Sequence, residues 1–212
     1  RHAITKLSHV HLATNEFAKK RIIQMGEEES RVFNVGLPVI DLIKNKEFTN
    51  GDEIIRKYNL KKYNNIIVFT QHSIPIEINL IDQEFNEIKK AFQQIDSEKT
   101  KILCTYPNSD VGGKKIINII ENWKDEFENI DVVKSLGRQD LHGILNLNNL
   151  QLNKNVIFIG NSSAAIKEAP SLNCPSLILG RRQNGRLDAK SVHFCEINSN
   201  KITENINQIF NN

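Results

Sequence analysis

Short β-branched runs alternate with amphipathic stretches along nearly the whole chain, and nothing else in the sequence constrains the fold as strongly. That alternation is the pattern of a parallel sheet covered by helices, so the expected class is α/β with a Rossmann-like parallel sheet. Strands are expected over 10–13, 32–35, 65–70, 101–105, 131–134, 156–159 and 176–179, with helices over 16–25, 39–44, 82–95, 113–127, 139–147, 164–169 and 201–210. Thr14 and Asn15 stand as caps before the first of these helices and Gly26 as its stop, while Ser163 sits where an N-cap is expected.

Residues 45–64 are rich in Lys and Asn, strongly charged and without a long apolar face, which marks them as a hinge or linker. They divide a 1–44 segment of two strands and two helices, too small to bury a core alone, from a self-contained α/β unit over 65–212. The chain opens on Arg1 instead of Met, already inside a helical, His-bearing segment, and is expected to be a fragment.

With 25% charged and 39% hydrophobic residues among 212, disorder, collagen and disulfide scaffolds are excluded. Cys104, Cys174 and Cys195 are an odd number at wide spacing, which points to free thiols in a reducing compartment and to a cytoplasmic location. No apolar run approaches the roughly 20 residues that cross a bilayer. A net charge of +3, with Lys and Arg scattered among acids, gives no electrostatic case for nucleic acid or a membrane surface.

Ligands of open parallel sheets bind outside the carboxyl ends of the strands, and the loops there are conspicuously polar in this chain. They read Gln71-His72-Ser73, then Tyr106-Pro107-Asn108-Ser109-Asp110, then Gly160-Asn161-Ser162-Ser163, then Arg181-Arg182-Gln183-Asn184-Gly185-Arg186. Four such loops at one edge suggest one site. The glycine and two serines at a helix start suit an anion, although a capped turn has the same composition. Arg182 and Arg186 could neutralise a diphosphate or simply be solvated surface. His72, at the end of a buried strand, could donate to phosphate or move a proton, or serve as a structural donor. Glu168, five residues after Ser163, suits ribose hydroxyls, and equally suits the helix dipole. His9 and His11 share a strand face without further ligands. His142 and His193 have no carboxylate or cysteine partner at ligand spacing, and Cys195, two residues from His193, is a weak pair, so no metal is expected. No GxGxxG follows a strand and no Walker sequence is present, which speaks against a Rossmann dinucleotide site.

Taken in order, Arg1-His2-Ala3-Ile4-Thr5-Lys6-Leu7-Ser8-His9, Val35-Gly36 with Asp41, Gln71-His72, Tyr106-Pro107-Asn108-Ser109-Asp110, Gly160-Asn161-Ser162-Ser163 and Arg182-Gln183-Asn184-Gly185-Arg186 resemble the UDP-N-acetylglucosamine 2-epimerase family, in its hydrolysing branch. The resemblance implies a glycosyltransferase-B type fold of two Rossmann-like lobes, with 1–44 ending the first and 65–212 forming most of the second, which holds UDP. It implies that His72, Asn108, Ser162, Ser163, Glu168 and Arg182 contact the nucleotide, the serine loop taking the diphosphate and Glu168 the ribose. The backbone around Leu136 would read uracil.

The implied reaction removes the C2 proton, expels UDP to leave a glycal and adds water, releasing N-acetylmannosamine for sialic-acid-type biosynthesis without a cofactor. His72 and Arg1 are the candidates for stabilising the leaving group. The family's acid and base carboxylates fall upstream of Arg1, so this chain is expected to be inactive alone. The implied partner is a nucleotide sugar, and the full-length form is expected to be a homo-oligomer. Ala165 and Gly113 replace the family's common glycine and serine, and Ser135 stands where some relatives have a histidine near an effector site, so no feedback regulation is inferred. Alternatives are a 2-epimerase for a UDP- or GDP-linked diacetamido sugar, a glycosyltransferase of the same fold, and a nucleotide-sugar-binding module without chemistry.

Overall fold

The computed structural model describes residues 2–150 and 152–211, and Arg1, one of the two expected catalytic residues, lies outside them. The chain divides into two compact units, Arg1–Lys46 and Glu47–Asn212.

The first unit runs α1 (His2–Leu7), β1 (His11–Ala13), α2 (Glu16–Gln24), β2 (Val32–Asn34) and α3 (Pro38–Lys44). Strands β1 and β2 pair in parallel, with Leu12 opposite Phe33. Of the two cap candidates, Asn15 caps α2, its Oδ1 accepting from the Ala18 N–H at 2.8 Å. Gly26 follows the C-terminus with a φ of +88°, as a helix stop requires.

The second unit opens with α4 (Gly51–Lys57) and continues β3 (Asn65–Thr70), α5 (Ile81–Gln93), β4 (Thr100–Thr105), α6 (Gly113–Glu126), β5 (Ile130–Val133), α7 (Gly137–Leu145), β6 (Asn155–Gly160), α8 (Ser163–Lys167), β7 (Ser176–Leu179), β8 (Val192–Cys195) and α9 (Ser199–Asn211). Its six strands form one sheet in the order β5-β4-β3-β6-β7-β8, every pair parallel. Ile67, Phe69, Ile102, Ile157, Ile159 and Leu177 pack with α5, α6 and α9 around an aromatic knot in which Phe69 meets Phe92 at 5.3 Å and Trp123 at 6.0 Å. The alternate residues Ile66, Val68, Leu103, Phe158 and Ile178 turn to the other face and are equally buried. Burial on both faces is why these strands read as continuous apolar runs.

Three local expectations need correction. Residues 45–64 are folded, not a bare linker: α4 buries Ile54 completely, and the Asp140 carboxylate of α7 accepts from the Thr49 and Tyr58 hydroxyls at 2.6 Å each while pairing with Lys57 at 2.6 Å. Strand β8 was not expected, because an edge strand with Phe194 42% exposed has no continuous apolar signal. The cap of α8 is Ser162, whose Oγ accepts from the Ala164 N–H, and Ser163 is the first helical residue.

Candidate functional site

Strand order reverses between β3 and β6: β4 and β5 lie on one side of this pair, β7 and β8 on the other. Loops leaving two such neighbours diverge and open a crevice at their carboxyl ends. Gly160 makes the approach there possible, since its φ is +125° and a Cβ on it would stand 2.1 Å from the Thr70 carbonyl oxygen.

One residue joins the loops across the crevice. The Oδ1 of Asn161 accepts from the His72 N–H at 2.7 Å, and its Nδ2 donates to the His72 carbonyl at 2.8 Å. Its own carbonyl accepts from Arg182 Nη1 at 3.0 Å and Gln183 Nε2 at 2.6 Å. On the far side, His72 Nδ1 accepts from the Asn108 N–H at 3.0 Å. Four loops from four strands are thereby tied by hydrogen bonds that converge on His72 and Asn161.

This geometry decides the state of His72. With Nδ1 an acceptor, the ring proton sits on Nε2. Burial, and then the positive charge of Arg182, push its pKa down to about 4. His72 is thus a neutral donor near pH 7, not an imidazolium.

His72, Asn108, Leu136 and Ser162 line one cleft of about 320 Å³, together with Thr70, Lys134 and Arg138. Arg182 backs this cleft through the Asn161 carbonyl, and half-buried Ser163 opens α8 beside Ser162. A larger cavity of about 450 Å³, beside Leu80, Phe194 and Ile197, contains none of the expected site residues.

Glu168 stands differently from its expected place on the helix after the serine loop. Helix α8 stops at Lys167, Glu168 is its C-cap, and Pro170 opens a tighter turn over Ala169–Leu172. The Glu168 carboxylate meets His142 Nε2 at 2.7 Å, a pairing hidden from sequence spacing because the two residues are 26 apart. His11 likewise pairs with Glu27 at 3.2 Å. Among the described residues, no three His, Cys, Asp or Glu side chains group as a metal site would need, and no helix is long and apolar enough to cross a membrane.

Reading by residue type missed three contributors: Asn161, which stood in a quoted motif without a role, Gln183 and His142. An Asn between a glycine and two serines, directly after an apolar run, was the available signal for the first. Gln183 likewise stood in the quoted Arg182–Arg186 motif, and His142 had no signal.

Residues 1–212 match the family model for UDP-N-acetylglucosamine 2-epimerase. The chain is 32% identical over 200 residues to the GDP/UDP-N,N'-diacetylbacillosamine 2-epimerase (hydrolyzing) of Campylobacter jejuni, covering 93% of this chain and 50% of that protein. It is 31% identical over 211 residues to the UDP-N,N'-diacetylbacillosamine 2-epimerase (hydrolyzing) of Legionella pneumophila, covering 100% and 53%. The chain spans about half the length of the curated relatives it matches. Among solved structures, the Methanocaldococcus jannaschii UDP-GlcNAc 2-epimerase in complex with UDP-GlcNAc and UDP superposes with a TM-score of 0.69 at 18% identity, over 98% of this chain and 56% of that one. At that identity the likeness is one of fold, and it agrees with the expected glycosyltransferase-B type lobe.

Proposed function

Because the chain belongs to the UDP-N-acetylglucosamine 2-epimerase family, we propose that its second unit binds the nucleoside diphosphate of a nucleotide sugar and stabilises that diphosphate as it departs in a hydrolysing 2-epimerase reaction. The observation that carries this reading is the neutral, Nε2-protonated His72, held at the crevice by Asn161 and Asn108 with Arg182 behind it.

Breaking the anomeric C–O bond moves negative charge onto the diphosphate. A preorganised N–H donor and a nearby guanidinium stabilise that charge more than they stabilise the bound ground state. Held neutral, His72 can donate without first taking up a proton. Ser162 and Ser163 supply hydroxyl and main-chain donors to the diphosphate, and Glu168 accepts from the ribose hydroxyls. Leu136, largely buried on the cleft wall before Gly137, flanks the base with its main chain. Abstraction of the C2 proton is assigned to none of these groups.

In this reading the substrate is UDP-N-acetylglucosamine, hydrolysed to N-acetylmannosamine and UDP in a sialic-acid-type pathway. A second reading, a UDP- or GDP-linked diacetamido sugar, is favoured by the names of the Campylobacter and Legionella relatives. Calorimetric titration with UDP, GDP and UMP tests the site. UDP binding with UMP much weaker is expected. No binding by a folded chain would refute the assigned pocket, and GDP binding as tight as UDP would favour the second reading.

A further inference from the structure

We propose that His142 is a positioning residue that sets selectivity for a ribonucleotide by fixing the carboxylate of Glu168. This rests on the assignment of Glu168 to the ribose made above. His142 lies in α7, is fully buried, and donates from Nε2 to Glu168 Oε2 at 2.7 Å. Its other ring nitrogen, Nδ1, is equally buried and has no hydrogen-bond partner. The ring of Phe48 meets the imidazole edge-on at 6.5 Å and walls it in.

A leucine of similar bulk would fill this space without orphaning a polar atom, so packing alone does not account for an imidazole here. What the imidazole adds is the bond to Glu168. The main chain of Glu168 is anchored through its N–H to the Ala164 carbonyl at 2.9 Å and through its carbonyl to the Ser171 N–H at 3.0 Å. Its side chain has three rotatable bonds and is 21% exposed, and His142 holds its Oε2, leaving Oε1 as the acceptor assigned to the ribose.

That arrangement converts a flexible acid into a fixed acceptor. Adjacent ribose hydroxyls can bond a carboxylate well only if its plane is set before they arrive. A fixed acceptor also discriminates, because an analogue lacking the hydroxyl leaves it desolvated and unpaired, whereas a mobile carboxylate turns back to water. Gly137, Arg138 and Leu141 of the same helix line the cleft, so α7 supplies both a cleft wall and the support of Glu168.

The test is titration of the 212-residue chain, wild type and His142→Leu, His142→Gln and Glu168→Gln, with UDP, 2′-deoxy-UDP and UMP. Wild type is expected to prefer UDP over 2′-deoxy-UDP about ten-fold or more. His142→Leu and Glu168→Gln should both collapse that preference. His142→Gln, whose amide can donate from near the Nε2 position, should restore most of it, and the UDP-to-UMP ratio should hold throughout. A purely structural role would lower thermal stability without touching the preference. Should His142→Leu fail to fold, His142→Asn, whose shorter amide stops short of the Nε2 position, takes its place and must lose the preference. A preference abolished by Glu168→Gln but intact without the imidazole overturns the role of His142 and leaves the ribose assignment standing. No preference in wild type overturns the ribose assignment itself, and this inference with it.

Discussion

The carboxamide of Asn161 bonds both main-chain groups of His72, accepting from its N–H at 2.7 Å and donating to its carbonyl at 2.8 Å. A side chain here does what a neighbouring strand does inside the sheet, and it does so just beyond the ends of β3 and β6, where the ladder stops. The β3 loop and the serine loop therefore form one piece: Asn161 fixes the main chain of His72, and the Asn108 N–H on Nδ1 sets its ring.

Asn161→Asp replaces the Nδ2 donor with an oxygen facing the His72 carbonyl. We expect UDP affinity to fall about 5- to 30-fold, the equivalent of ~1–2 kcal/mol for a lost buried hydrogen bond. Calorimetry measures it, and unchanged affinity would show that His72 is ordered by something else.

Arg182→Ala and Ser163→Ala should each weaken UDP binding, by ~1.5–3 kcal/mol for the charge-assisted contact and ~0.5–1.5 kcal/mol for the neutral one. If both variants bind UDP as wild type does, the diphosphate assignment is wrong.

His72→Ala, in a preparation that turns over nucleotide sugar, should lower kcat more than it raises KM, because its donor strengthens its bond as charge builds on the leaving diphosphate. An effect confined to KM would reduce His72 to a ground-state contact.

Stability should also respond to pH through this ring. The folded pKa is about 4, against 6.5 in the unfolded chain. As pH falls, the unfolded state therefore takes up the proton first, and the contribution of His72, complete above about pH 6.5, is lost progressively toward pH 4. Urea midpoints across this range should decline more steeply in wild type than in His72→Gln, and parallel declines would contradict the assignment.

Asp140→Ala should destabilise the second unit by ~2–4 kcal/mol, because it orphans the Thr49 and Tyr58 hydroxyls. Lys57 is half exposed and adds little. Chemical denaturation with an unchanged m-value reads the loss directly.

Periodicity located β3 and β7 to the residue and β4 and β6 to within one, because a strand buried on both faces writes its burial into consecutive apolar side chains. The polar loops after those strands followed from the same reading, since they begin where the apolar runs end. Sequence alone thus determined the fold class and the sheet edge whose polar loops carry most of the candidate residues.

Tertiary structure decided which of those residues meet. Asn161 reaches His72 across 89 positions, Asp140 reaches Thr49 across 91, and Glu168 turns to His142 across 26. Such partners are chosen by how helices and strands pack, and no local pattern encodes them. Strand β8 and helix α4 escaped notice for the same reason: each is short, partly exposed, and stable only against neighbours formed elsewhere in the chain. The charge state of His72 belongs here too, because the burial and the guanidinium that set it exist only once β3, β6 and β7 lie side by side.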